Sequence, residues 1–261
     1  MGKSIQNLST VTRVGLDLAK RVFQVHAVAA KGEIVAARKL TRSQLIPFFA
    51  ELPPCVVGME ACSSAHHWGR ALIELGHEVR LIPPAHVKPY VRRNKSDQVD
   101  AAAIYEAMSR PGQRFVPVRS IDNQAELMRH RARELLAGQR TAALNALRGH
   151  LAEIGLIAPQ GAHHAYGLKR MAADGFNENG EIVVPDCVRG ALRSLVGQID
   201  GLDEAIGAID RELAASVKAD ETAKRLMTIP GVGPVTASAI RATIQDAAPS
   251  PAGVSSLPSS A

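Results

Sequence analysis

Residues 11–40 read VTRVGLDLAKRVFQVHAVAAKGEIVAARKL, and the hydrophobic period of this stretch decides the architecture. VTRVGLDLA has the composition of a strand. In RVFQVHAVAA, Phe23, Val25 and Ala27 alternate with Gln24 and His26, the period-two pattern of a strand buried on one face. Lys31-Gly32 makes a turn into a third strand, EIVAARKL. Three consecutive strands joined by short turns predict an antiparallel meander.

Downstream, strands and helices alternate. A helix is predicted from about Ser43 to Leu52, where Pro53-Pro54 breaks it. CVVGMEA (55–61) is a continuous apolar run, the mark of a strand covered on both faces. AHHWGRALIELG (65–76) reads as a helix ended by Gly76, and EVRLIP (78–83) as a fifth strand. An antiparallel trio followed by alternating helix and strand is the layout of an RNase H-like α/β domain.

That layout gives two acidic residues a common setting. Asp17 sits inside the first strand and Glu60 at the end of the fourth, and a carboxylate in an apolar strand is costly unless paired, metal-bound or solvated at a cleft. Asp97 and Asp100 open KSDQVDAAAI (95–104). One reading is helix punctuation, with Asp97 as N-cap and Asp100 as the third-position acid of a capping-box-like start. The other is that residues three apart share a helix face, so both carboxylates can join a metal site. Asp17, Glu60, Asp97 and Asp100 crowded together would repel, so a site built from them calls for divalent cations. Two Mg²⁺ ions roughly 4 Å apart stabilise the attacking and leaving oxygens of an in-line phosphoryl displacement.

Charge points to a polyanion. Of the formal +6, residues 86–150 hold 12 Lys/Arg against 6 Asp/Glu, while the remainder balances at 19 against 19. Most of the local excess is arginine, whose planar fork suits phosphate. Candidate contacts are Arg92, Arg93, Lys95, Arg129 and Arg133, against the plainer reading of a solvated helix face. The three cysteines form no CxxC pair and leave one over in any disulfide scheme, consistent with a reducing cytoplasm. No run approaches the roughly 18 apolar residues of a membrane span. The nine histidines make no cluster with zinc-ligand spacing.

From Ile121 the texture becomes helical. Ala125, Met128, Ala132 and Leu135, then Leu144, Leu147, Leu151 and Ile154, keep three-four spacing, interrupted near Gln139 and Arg140 where the face turns polar. A glycine-rich, exposed connection is predicted around 159–184. Val188, Leu192, Leu195, Ile199, Leu202, Ile206, Ile209 and Leu213 then repeat 4-3-4-3, a coiled-coil seam. Two such helices predict an antiparallel arm about 45 Å long. In TIPGVGPVTASAI (228–240), Gly231 and Gly233 look like a helix-hairpin-helix turn whose backbone N–H groups approach a phosphate.

GLDLAK (15–20), GMEAC (58–62), RRNKSDQVDAAAI (92–104) and TIPGVGPVTASAI together resemble the DEDD-type insertion-sequence transposases, the family numbered one hundred and ten, and the related Piv-like site-specific invertases. The resemblance runs from about residue 11 to 246. It implies a RuvC-like catalytic domain at 11–115, a coiled-coil arm at 121–217 and the start of a C-terminal transposase domain at 221–246. It also implies a Mg²⁺-dependent recombinase acting on DNA, with Asp17, Glu60, Asp97 and Asp100 as metal-binding catalytic residues. The implied partners are DNA, a structured guide RNA encoded by the element and further copies of the chain, in a bacterial, nucleoid-associated setting.

One departure stands out. The family continues well past the GVG hairpin and carries a serine nucleophile, whereas this sequence runs into DAAPSPAGVSSLPSSA (246–261), 12 of whose 16 residues are Ala, Pro or Ser. That composition predicts a disordered tail at 247–261. A truncation or a frameshift is the expected origin, and complete transposition is expected to be defective. The competing expectations are a stand-alone RuvC-like nuclease of branched DNA and a non-catalytic nucleic-acid-binding remnant.

Overall fold

The structure, a computed structural model, describes residues 7–90, 97–157, 161, 164–175, 179, 181 and 183–244, with the side chains of Asp97 and Gln98 excepted. Arg92, Arg93, Lys95 and the tail predicted at 247–261 lie outside the described residues. The chain divides into two compact units, Met1–Ile121 and Asp122–Ala261.

The first unit is a five-stranded mixed sheet with helices on both faces. Its strands are β1 (Val11–Asp17), β2 (Val22–Ala29), β3 (Ile34–Thr41), β4 (Val56–Glu60) and β5 (Glu78–Ile82). They lie in the order β3-β2-β1-β4-β5. β1 pairs antiparallel with β2 and β2 with β3, while β1 with β4 and β4 with β5 are parallel. The predicted meander is therefore present, and the order is compatible with an RNase H-like layout.

Helices α1 (Arg42–Ala50) and α2 (Ala65–Glu74) cover one face. There Val14, Leu16, Phe23, Val25, Val57 and Met59 pack with Phe48, Phe49, Trp68 and Leu72 in one apolar cluster. The short α3 (Pro84–Val87) and α4 (Asp97–Met108) serve the other face. On that side Ile82, Val87, Ile104, Ala107 and Met108 form a second, smaller cluster. Period two explains the division, because neighbouring residues of each strand point to opposite sides. Burial pushes the Cys55 thiol up to about 11, so it behaves as a small apolar core group.

The second unit holds α5 (Ile121–Glu153), α6 (Ala165–Asp174), α7 (Asp186–Lys218), α8 (Glu221–Leu226) and α9 (Pro234–Thr243). α5 and α7 are each 33 residues long, about 50 Å at 1.5 Å per residue. They run antiparallel, because ion pairs join Arg129 to Glu212, Arg133 to Asp210 and Arg140 to Asp203. As residue numbers on α5 rise, those of their partners on α7 fall.

At Gln139 and Arg140, where the face turns polar, α5 is continuous and Arg140 reaches Asp203 of α7 at 3.0 Å. Two expectations are corrected by the structure. The stripe Ala125, Met128, Ala132 and Leu135 is not all core, because Met128 and Leu135 are 60% and 62% exposed. Glu126, Arg129 and Arg133 face α7 instead, whereas Leu144, Leu147 and Leu151 further along are buried as expected. The 159–184 connection is not simply exposed loop, since it contains α6, with Leu168 and Ala172 buried against α5 and α7. Lys169 of α6 also bonds Asp200 and Asp203 on α7 at 2.7 and 3.0 Å.

Candidate catalytic carboxylates and nucleic-acid contacts

Two glycines bring α4 onto the sheet. A Cβ on Gly15 of β1 would lie 2.2 Å from the Ala101 carbonyl oxygen and 2.9 Å from the Tyr105 backbone nitrogen, and a Cβ on Gly58 of β4 would meet Met108 Sδ at 2.8 Å. Only glycine permits this approach in β1. Gly15 and Gly58 are paired in register, so α4 crosses both strands at one level.

Two residues further along, on the same face, stand Asp17 and Glu60. They are the last residues of adjacent parallel strands and follow the paired Leu16 and Met59. Parallel neighbours are about 4.8 Å apart, so the two carboxylates leave the sheet side by side. Both are half-buried. Asp100 precedes Ala101, the residue whose carbonyl abuts Gly15. Its Oδ1 is buried without a hydrogen-bond partner, whereas carboxylate oxygens in protein interiors are normally satisfied. Asp97 is the first residue of α4, with its side chain outside the described set.

The carboxylate donors suit a hard divalent cation such as Mg²⁺. Among the described residues, no three His, Cys, Asp or Glu side chains gather closely enough to hold one ion. The orphaned Asp100 oxygen is the observation that fits a cation, because a helix-capping role leaves that oxygen unexplained.

The expected nucleic-acid contacts have mixed settings. Arg129 bonds Glu126 at 3.0 Å and Glu212 at 2.9 Å, and Arg133 is clamped by both oxygens of Asp210. The Asp210 carboxylate holds the Arg133 guanidinium above its ordinary pKa. Both arginines thus tie α5 to α7. Gly231 lies in the turn between α8 and α9 with φ 85°, a left-handed conformation that favours glycine, and Gly233 is the N-cap of α9.

Sequence reasoning missed a buried carboxylate beside this turn. Glu126 of α5 accepts bonds from Ser216 of α7 at 2.7 Å and from Ser238 of α9, and His130 Nε2 lies 2.9 Å from the Ser238 hydroxyl. Burial alone would raise the Glu126 pKa, but the two hydroxyl bonds and the charges of Arg129 and Arg241 outweigh it and hold the carboxyl below the usual range. Burial keeps His130 below its ordinary value. A single Glu in a helix carries no periodic signal that would mark it as interior.

Comparison with known proteins supplies the family. Residues 14–156 match the DEDD-type IS110 transposases, and residues 223–257 match the transposase IS116/IS110/IS902 family. The chain belongs to this transposase family. It is 45% identical over 237 residues to a probable family 20 transposase of Pseudomonas aeruginosa, covering 91% of this chain and 69% of that protein. A putative transposase of Sinorhizobium fredii is 41% identical, covering 89% of this chain and 58% of the relative. The transposase for insertion sequence element IS1328 of Yersinia enterocolitica is 40% identical, covering 92% and 70%. This transposase-family chain thus spans between 58% and 70% of the length of these relatives. Among its described residues, no helix is long and apolar enough to cross a membrane.

Proposed function

We propose that the first unit is the RuvC-like, RNase H-like nuclease half of an insertion-sequence transposase, cutting and joining DNA strands with Asp17, Glu60, Asp97 and Asp100. One observation carries this reading. Asp17 and Glu60 end adjacent parallel strands on the face that α4 crosses, and α4 brings to that face an aspartate with a buried, unpartnered oxygen. When bound, Mg²⁺ supplies positive charge to the attacking and leaving oxygens of a phosphodiester. Asp17 and Glu60 would hold the cation from the strand ends, with Asp100 contributing from the helix. The close seat of α4 on Gly15 and Gly58 fixes where the helix stands against those strands, and positioning is what phosphoryl transfer demands of a protein.

In this proposal residues 11–115 form the catalytic domain, 121–217 an arm, and 221–246 the beginning of a C-terminal transposase domain. DNA is the substrate, a structured guide RNA encoded by the element is a partner, and the setting is the bacterial cytoplasm and nucleoid. Basic residues for phosphate include Arg92, Arg93, Lys95 and the backbone at Gly231 and Gly233, with Arg129 and Arg133 serving chiefly to join α5 to α7. Copies of the chain associate through Ile121, Met128 and Leu135, which are exposed and recur every seven residues along α5.

The test is Mg²⁺- or Mn²⁺-dependent nicking of supercoiled and branched DNA carrying the element ends. Asp17→Asn and Glu60→Gln are each expected to lower the rate at least about 10³-fold with the fold retained, and chelation to abolish it. Cleavage that survives either substitution, or that proceeds in a chelator, overturns the assignment.

A further inference from the structure

α4 covers β1 and part of β2 but leaves the outer part of that sheet face open. The result is a cleft of about 730 Å³ between β2, β3 and α4, within the size range of small-ligand sites. Its walls include Gln24 and His26 of β2, Tyr105 and Glu106 of α4, and Tyr90. Gln24 is paired in register with Asp17, so the cleft begins one strand away from the candidate carboxylates, on the same face.

Gln24 is the unusual wall residue. It is 2% exposed, its amide nitrogen reaches the Val25 carbonyl at only 3.5 Å, and Oε1 has no hydrogen-bond partner. A buried amide oxygen of this kind is costly unless a donor meets it. Beside it the rings of His26 and Tyr105 lie 5.5 Å apart at 55°, and Tyr105 is held in place because its backbone abuts Gly15.

We infer that this cleft receives an unpaired nucleobase of the strand whose phosphate lies at Asp17 and Glu60, stacked against Tyr105 and His26 and held at its edge by Gln24. The inference rests on the nuclease reading for the source of the strand. Three features select a base over other ligands. Among the described residues no Lys or Arg lines the cleft, and the one carboxylate among them, Glu106, is ion-paired with Arg110, so none of these residues offers a phosphate a free cation. An aliphatic ligand leaves Gln24 Oε1 unsatisfied, whereas each base carries an N–H or amino donor on its pairing edge. Burial lowers the His26 pKa, which favours a neutral ring of the kind that stacks on bases.

The test uses the full chain, without added divalent metal, and duplex DNA containing one unpaired 5-iodouracil. After near-ultraviolet irradiation, crosslinked peptides are mapped by mass spectrometry. Crosslinks are expected at His26, Tyr90 or Tyr105. Gln24→Leu is expected to weaken binding of the unpaired-base DNA about tenfold while leaving fully paired duplex unaffected. Tyr105→Leu should lower the crosslink yield, with the fold of both variants checked by Trp68 fluorescence. Crosslinks only outside the cleft, no crosslinks at all, or a Gln24→Leu variant that binds both DNAs like the parent overturns the inference. Asp17→Asn separates the two readings: the cleft predicts that it still crosslinks, and the nuclease assignment predicts that it no longer cuts. A chain that crosslinks in the cleft yet cuts with no metal removes the nuclease reading alone, and one that cuts without crosslinking removes the nucleobase site alone.

Discussion

Gly15→Ala tests the contact on which the candidate site depends. The added methyl would start 2.2 Å from the Ala101 carbonyl oxygen and 2.9 Å from the Tyr105 nitrogen, both backbone atoms that no rotamer change can remove. To restore an ordinary contact of 3.4 Å, α4 must lift by about 1 Å, loosening the packing of Ile104, Ala107 and Met108 against the sheet. Overpacking a core costs about 1–3 kcal/mol, and a backbone clash belongs at the upper end. For a unit of this size that corresponds to a melting point about 10–15 °C lower. Trp68 is the sole tryptophan, it is buried, and its ring meets Phe23 at 5.2 Å in the first unit. Its fluorescence therefore follows the first unit even if the two units melt separately. Gly58→Ala supplies a graded comparison at about 1 kcal/mol, because its nearest obstacle is the Met108 thioether, which can swing aside. Gly138→Ala, in α5 with nothing within 4 Å, should instead stabilise the second unit by up to about 1 kcal/mol. A Trp68 transition in Gly15→Ala that matches the parent would refute the close seating of α4. Reduced nicking alongside the lower stability would tie that seating to the carboxylates.

Exchanging charges in Arg133→Asp with Asp210→Arg should recover most of the helix stability lost in either single variant, with a coupling near 1 kcal/mol that shrinks in high salt; no recovery by circular dichroism would refute the α5–α7 register. Glu126→Gln should cost about 2 kcal/mol at neutral pH. The folded Glu126 pKa is depressed, so its contribution is present above the ordinary glutamate range and lost as pH falls through the folded value, and the gap between parent and variant should narrow on acidification. A gap that widens in acid contradicts the network with Ser216 and Ser238. Met128→Glu, on a 60% exposed position, should shift the chain toward monomer in light scattering without lowering its helix content; an unchanged mass removes the α5 stripe as an association surface.

The meander, the parallel strands and both long helices were legible because each carries a long period, two in the strands and near three and a half in α7. α6 was hidden among glycines, since a buried pair at Leu168 and Ala172 is only one turn of signal and the helix depends on α5 and α7 for its apolar surface. The first half of α5 misled for the opposite reason. Its apolar line is as regular as that of α7, yet the ion pairs with Glu212, Asp210 and Asp203 turn a polar face inward and leave Met128 and Leu135 in solvent. Periodicity locates an apolar face but does not say which neighbour, within the chain or beyond it, covers that face.

The carboxylates divide in the same way. Asp17 and Glu60 were conspicuous because acids are rare in apolar strands, and the parallel pairing of β1 with β4 sets them side by side. Asp97 and Asp100 were ambiguous, because a spacing of three serves a capping box and a shared ligand face equally well. For Asp100 one observation supports the ligand reading. A capping acid at that position has its oxygens engaged by free backbone N–H groups of the first turn, whereas Asp100 Oδ1 is buried and unpartnered. A buried carboxylate oxygen without a donor is costly unless a cation meets it. On the helix that Gly15 admits to the face where two strand-end acids stand, that oxygen supports the ligand reading. What hid Gln24 from the sequence is that an amide alternating with Phe23 and Val25 reads as an ordinary solvent-facing strand residue, and only the overhang of α4 makes it interior.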